Sequence, residues 1–440
     1  MSDILDSLRQ GIQGEVTDIV PAQYQTDFGG LRRKQPGILV TAHQEKDILH
    51  ALEVAQTTGT SLTVRGAGHS CNGQSLNSGG ILLENFSRSA EVEFLEDGLV
   101  EVSGRSCWRA VEECLNQAGR QSAVLTDYLD LSVGGTLSVG GMGLNSIAHG
   151  FQVDQVRRLR LIQPNGQVLW CSPHENETLF RFALAGLGQV GIIDKVVMQT
   201  QPFSKFTHTV KRQHDSVSEM LEFLPELAAP NSGIQHFNGY ISLNEIASEY
   251  GYMSQQEQFS DACIAPALYQ DSDQVKTEQD FPFQLQARRD VWLSAFPDHF
   301  QIWTDYIFDY ANVVRFMEFL EPLMREQPLS EALKAIYILM IRRPVDHTNF
   351  AFLPAPKGTL LFSVGLYTMV SRWNPMLLTK TLPVLQMALQ QCCALGGRPY
   401  LYGCNEMDER QKQAFYGADY LTLHELRRQH GLSNLNRESF

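Results

Sequence analysis

No run in this 440-residue chain approaches the ~20 apolar residues that a membrane-spanning helix needs. The start, MSDILDSLRQ, lacks the basic-then-apolar order of a secretion signal. The eight cysteines (71, 107, 114, 171, 263, 392, 393 and 404) form neither a CxxC pair nor the regular framework of a small disulfide-stapled fold, so reduced thiols are expected. Lys and Arg number 35 against 49 Asp and Glu, a formal net charge of -14, and no basic cluster interleaves with aromatics, which argues against nucleic acid as a partner. His208 and His214 lie six residues apart without a third ligand at a metal spacing, so no metal site is expected. Internal repeats and low-complexity tracts are also missing. These absences predict a soluble, cytoplasmic protein.

The length predicts more than one core. Residues 37–40 read as a strand. Thr41 and Gln44 read as the capping box of a helix carrying Ile48, Leu49, Leu52 and Ala55 on one face, with Gly59 at its end. Strands at 61–64 and 81–84 complete a βαβ unit. A hairpin turning at Asp97-Gly98 follows, then a helix capped by Ser106, with Trp108, Val111, Leu115 and Ala118 inward and Gly119 as its stop. A second hairpin turns at Asn165-Gly166, and a helix near 177–185 and a strand at 190–198 close an α+β half. From about Phe203 apolar strands (235–243, 335–341, 359–367) alternate with amphipathic helices (217–224, 313–324, 376–392), the pattern of an antiparallel sheet covered by helices. The last forty residues or so read as short polar segments bearing aromatics.

Four segments carry chemistry. RGAGHSCNGQ (65–74) sets His69 in a glycine turn after a strand, where backbone N–H groups can approach a phosphate and the imidazole can meet whatever that phosphate carries. LTDYLDLSVGGTLSVGGMG (125–143) and GLGQVGII (186–193) are further glycine-bounded loops, and the tail holds Tyr400, Phe415-Tyr416-Gly417 and LSNLN (432–436). Each alone has a plain reading: a turn histidine, a capping aspartate at Asp127, a buried strand at 188–193, a core aromatic at Trp292.

Together, in this order, they resemble the histidyl-linked branch of the vanillyl-alcohol-oxidase-type flavoproteins, and within it the cytokinin dehydrogenases. The resemblance implies a two-domain α+β fold. Residues 1–202 would be the FAD-binding domain, 203–398 a substrate-binding domain of antiparallel sheet covered by helices, and 399–440 a return to the first. It implies that His69 bonds to the 8α-carbon of FAD, with Gly66, Ala67, Gly68, Ser70 and Gln74 along the cofactor; a neutral imidazole is a nucleophile near pH 7. Further cofactor contacts would come from Asp127, Ser132, Ser138, Met142, Ile192, Tyr400, Ser433 and Asn436. Asp127, in Thr-Asp-Tyr-Leu, would take the proton from a substrate nitrogen as hydride leaves the adjacent carbon, since an anion stabilises the charge growing there. Trp292 and Ser294 would face the substrate.

The chain also departs from that family. Leu125 replaces a tryptophan, Val139-Gly140 an Asn-Ala pair, Ser294 an asparagine and Asn436 a glutamine. No cysteine lies between Asp130 and Gly150, so one covalent tether is expected. The implied activity is that of an FAD-dependent oxidoreductase acting on CH–NH donors, with oxygen or another electron acceptor. Oxidation of an alcohol, sugar or lactone, and a flavin-binding protein without turnover, are the alternatives.

Overall fold

The computed structural model describes residues 2–270, 272, 274–353 and 359–440. Its first sheet joins Glu15–Thr17 (β1), Ile38–Thr41 (β2), Leu62–Arg65 (β3) and Ile81–Glu84 (β4) in the order β1-β2-β4-β3, and β2, β4 and β3 run parallel. Their near-continuous apolar sequence fits a parallel sheet covered on both faces. The helix Glu45–Thr58 buries Ile48, Ala51, Leu52 and Ala55 and ends at Gly59, whose φ of +69° suits a residue without a Cβ. The expected capping box is corrected. Thr41 is still in β2, its hydroxyl bonded to Glu84 at 3.0 Å, and the helix starts after Gln44. The Asp47 carboxylate instead accepts the N–H groups of Gln13 and His43, both at 2.9 Å, a long-range bond that no local motif announces.

The second sheet, antiparallel, comprises Val92–Phe94 (β5), Leu99–Ser103 (β6), Arg120–Ser122 (β7), Val156–Ile162 (β8), Val168–Cys171 (β9) and Ile192–Pro202 (β10), ordered β5-β6-β10-β8-β9 with β7 also on β10. Asp97 and Gly98, at φ +58° and +73°, turn the first hairpin through the left-handed region. The helix Trp108–Gln117 follows Cys107 as its cap, and Ser106 is not the cap expected: its hydroxyl accepts the N–H of Glu91 at 3.0 Å. Trp108 donates its indole N–H to the Thr136 hydroxyl at 2.7 Å, which anchors the loop after Asp127 to this core.

Between Pro202 and Phe206 the chain passes to a third sheet. Phe206–Gln213 (β11), His236–Ile241 (β12), Ile246–Ser254 (β13), Gln274–Gln279 (β14), His299–Phe308 (β15), Leu333–Arg342 (β16), Leu360–Ser371 (β17) and Arg398–Pro399 (β18) lie in the order β14-β11-β13-β12-β16-β17-β15-β18, all antiparallel. The helices Val217–Leu227, Tyr310–Arg325 and Pro375–Ala394 pack on this sheet and on one another. Strand alternation therefore sends Tyr306 and Phe308 of β15 against Phe316 in the helix layer, and Trp303 and Asp305 to the opposite face.

The tail corrects another expectation. Residues Glu409–Gln429 form one long helix, interrupted at Gly417 (φ +51°, ψ -124°), which hides the periodicity of its buried residues Phe415, Tyr416, Tyr420, Leu423 and Leu426. The chain then runs beside β3: Leu62 N–H donates to Asn434 and Asn436 N–H to Leu62, each at 2.8 Å, so the tail covers the open edge of the first sheet. Between the second and third sheets, Arg343 and Asp154 make a fully buried ion pair of 2.7 Å. Among the described residues no helix is long and apolar enough to cross a membrane.

Glu112, on the buried face of Trp108–Gln117, accepts the Ser122 N–H at 3.0 Å, and burial pushes its carboxyl up to about 7. Its folded value is raised, so its stabilising contribution is present at low pH and is lost as pH rises through about 7. Glu112→Gln removes that titration. Thermal unfolding of both proteins between pH 5 and 8 should show the variant gaining on the wild type by up to about 3 kcal/mol, and a difference independent of pH contradicts the assignment.

Candidate cofactor and active site

The three sheets meet around one cleft that encloses about 1670 Å³ between protein atoms, its mouth included; a second pocket, at Ile241 and Met324, encloses about 180 Å³ by the same measure. Only the first has room for a dinucleotide. Its wall holds Gly66, Ala67, Gly68, His69, Ser70, Gln74, Asp127, Ser132, Ser138, Met142, Ile192, Trp292, Tyr400 and Asn436. Two sequence expectations are corrected. Ser433 is exposed in the turn before the tail reaches β3, and Ser439 lines the cleft beside Asn436. Ser294 is exposed at the end of the helix Phe281–Ser294 and donates to the Val291 carbonyl at 2.6 Å. Helical spacing of three and four turns Arg289, Trp292 and Leu293 inward and leaves Ser294 outside.

The glycine turn leaves the carboxyl end of β3, where parallel strands present ligand-binding loops. The N–H groups of Gly66, Ala67, Gly68, His69 and Ser70 have no hydrogen-bond partner among the described residues. Consecutive unpaired amides in residues that line a cleft suit an anion such as a pyrophosphate. A side chain at Gly66 would put a Cβ 2.1 Å from the Ser132 hydroxyl, and Gly68 sits at φ +75°. His69 lies between Phe28 (ring centroids 3.7 Å apart) and Tyr128 (4.5 Å), with part of its ring open to the cleft. Burial pulls its pKa down to about 3, so the imidazole is neutral throughout the physiological range.

Opposite, Ser132 accepts the Gly135 N–H at 3.2 Å and the Tyr400 hydroxyl accepts the Gly141 N–H at 2.9 Å, which hold the second loop in place. The tail supplies the third support. The Asn436 side chain accepts from Val64 N–H and donates to the Gly188 carbonyl, both at 2.8 Å, and so joins β3 to the 186–193 segment.

At the inner end, Asp127 Oδ2 accepts from Arg289 at 3.0 Å and from the Tyr337 hydroxyl at 2.8 Å. Its Oδ1 is buried without a partner among the described residues. Arg289 lies over the Tyr337 ring at 4.9 Å. Trp292, Trp303 and Tyr367 make an aromatic wall, with centroids 4.7 Å apart for Trp303 and Tyr367 and 6.3 Å for Trp292 to either. Asp305 accepts from the Tyr402 hydroxyl at 2.7 Å, and burial pushes its carboxyl up to about 7, with the Asp127 charge acting in the same sense. Sequence reasoning missed Arg289, Tyr337 and Asp305. A charged residue inside the apolar run FQIWTDYIF was a signal for the last.

Among the described residues no cysteine lines the cleft, and no group of three His, Cys, Asp or Glu could hold a metal ion. His208 is held by Thr277 at 2.9 Å and Ser254 at 3.0 Å, away from the cleft.

Residues 36–172, from β2 through β9, match a family model described as an FAD binding domain. This stretch carries the unpaired turn, His69 and Asp127, and it has the FAD-binding fold of the vanillyl-alcohol-oxidase type. The chain is similar to cytokinin dehydrogenases. Cytokinin dehydrogenase 3 of Oryza sativa subsp. japonica is 30% identical over 228 residues, 50% of this chain and 43% of that protein. Cytokinin dehydrogenase 1 of Arabidopsis thaliana is 28% identical over 225 residues, 50% of this chain and 39% of that one. The protein named Uncharacterized oxidoreductase ORF5 in fasciation locus, of Rhodococcoides fascians, is 32% identical over 195 residues, 44% of each. The chain spans less than half the length of these curated relatives.

Asn436→Ala leaves the half-buried Val64 N–H and Gly188 carbonyl without these partners. Denaturant unfolding should show a loss of about 2 to 4 kcal/mol; a loss below about 0.5 kcal/mol would mean that the tail is not the tie described.

Proposed function

We propose that the protein is an FAD-dependent oxidoreductase that holds FAD covalently through His69 and removes hydride from a carbon next to an amine nitrogen. The observation that carries this reading is that one cleft is lined by five residues with unpaired amides, by a neutral imidazole and by a carboxylate one of whose oxygens has no partner among the described residues. Bound FAD supplies the two-electron acceptor, and oxygen or another acceptor takes the electrons onward. The amides of residues 66–70 hold its pyrophosphate, and Ser132, Ser138, Met142, Ile192, Tyr400 and Asn436 border the rest. In this division residues 1–202 bind FAD, 203–398 form the substrate side and 399–440 return to the FAD-binding part. The eight free thiols favour the reducing cytoplasm as its compartment.

Asp127 accepts the proton that leaves the substrate nitrogen. Arg289 and Tyr337 grip Oδ2, which fixes the carboxylate and leaves Oδ1 as the acceptor. Trp292, Trp303 and Tyr367 flank the amine and exclude water from it. The relatives named as cytokinin dehydrogenases support a CH–NH donor.

Purified protein should be yellow, and acid precipitation should leave the colour with the polypeptide; His69→Ala should release it. Colour lost from the wild type in acid would end the covalent reading. Asp127→Asn should keep the flavin but slow its anaerobic reduction by amines about 10² to 10⁴-fold. An unchanged rate would dismiss Asp127 as the proton acceptor, and reduction by alcohols or sugars alone would select the CH–OH alternative.

A further inference from the structure

Asp127 is not the only carboxyl on the cleft, and it is the less suited of two to balance a cationic ligand. Its charge is already met by Arg289 at 3.0 Å. Asp305 has no cationic partner among the described residues. It is 3% exposed, its Oδ2 is held by the Tyr402 hydroxyl at 2.7 Å, and its Oδ1 accepts no hydrogen bond there.

In the β15–β17 register Asp305 stands opposite Gly365, and a Cβ built on Gly365 would collide with Asp305 Oδ1, so the missing side chain makes the room that this oxygen occupies. The neighbouring pair on the same face is Trp303 opposite Tyr367. A carboxyl with an uncovered oxygen thus sits one step along the sheet from an aromatic wall completed by Trp292, all facing the cleft. Aromatic faces beside an anion are the chemistry that recognises ammonium groups.

We propose that Asp305 is a specificity-determining residue whose carboxylate supplies the counter-charge for a substrate amine, bound as the ammonium ion against Trp292, Trp303 and Tyr367. This rests on the amine-oxidising reading above and adds to it the charge state in which the substrate is held.

The groups around Asp305 make it the switch of this end of the cleft. Tyr306 on its own strand, Tyr337 on β16, Tyr367 on β17 and Tyr400 and Tyr402 before the tail helix are all pushed up by burial and stay neutral. Cys71 behind the glycine turn and Cys404 are also pushed up by burial. His69 is neutral, and Asp127 and Arg289 offset each other. Among the groups that line the cleft, Asp305 is the one whose carboxyl burial raises to about 7. It is neutral below that value and anionic above, so affinity for a permanent cation rises with pH.

The test uses the flavin-bearing protein and benzyltrimethylammonium chloride, a cation that has no proton to lose from nitrogen and no lone pair to assist hydride loss. Tryptophan fluorescence, from Trp292 and Trp303, and the flavin spectrum report its binding from pH 5.5 to 8.5. The wild type should bind it about tenfold more tightly at the upper pH. Asp305→Asn should be flat at the weak, low-pH level with its flavin content retained. Gly365→Ala, which crowds Oδ1 without removing the carboxyl, should also lose most of the gain. Absence of binding, a flat wild-type profile, or a slope preserved in Asp305→Asn overturns the proposal; if Asp305→Asn does not fold, a full slope in Gly365→Ala does so. Anaerobic reduction by amines, run in parallel, separates the two ideas. Amines that reduce the flavin without this pH slope sink the Asp305 role alone, whereas the slope without reduction by any amine leaves the cation site standing and removes the amine-oxidising reading.

Discussion

Five consecutive backbone amides, in residues 66–70 on the wall of a cleft, have no partner among the described residues, and much of the surrounding structure holds that turn in place. Amides left unpaired do not tie a turn down by themselves, so it needs support from its neighbours. β3 delivers it from the parallel sheet, Ser132 packs where a side chain on Gly66 would collide, and the tail closes the edge of β3 through Asn436. Elements far apart in the chain are thus organised around this one turn.

Beyond the turn, the cleft changes character. His69 is kept neutral between two aromatic rings, whereas Asp127 is held in place by a cation on the helix Phe281–Ser294 and a phenol on β16. Burial produces both effects: it disfavours the charged imidazole, and it makes a carboxylate depend on a fixed partner. The carboxyl comes from the loop after β7, and the groups that orient it come from the helix Phe281–Ser294 and from β16, so the site exists only when these elements are packed together.

Local signals in the sequence were read well where one or two residues decide the outcome. Gly59 ends its helix because its backbone is left-handed, and Asn165-Gly166 turns a hairpin for the same reason. Two helix starts differ from the local pattern because Thr41 and Ser106 bond to distant partners instead of to their own helices. The helix Glu409–Gln429 escaped notice because Gly417 interrupts its pattern and much of its surface is polar.

The sequence by itself determined the glycine turn with His69, the Thr-Asp segment and the FAD-binding type of fold, since these lie in short stretches whose spacing survives without knowledge of contacts. Only the tertiary structure decided that Arg289 and Tyr337 grip Asp127, that Asp305 shares its cleft, that Ser294 and Ser433 face away, and that the tail pairs with β3. Each of these depends on which face of a helix or strand is turned inward and on how separate sheets meet. That is settled by packing over distances of hundreds of residues, which no local pattern encodes.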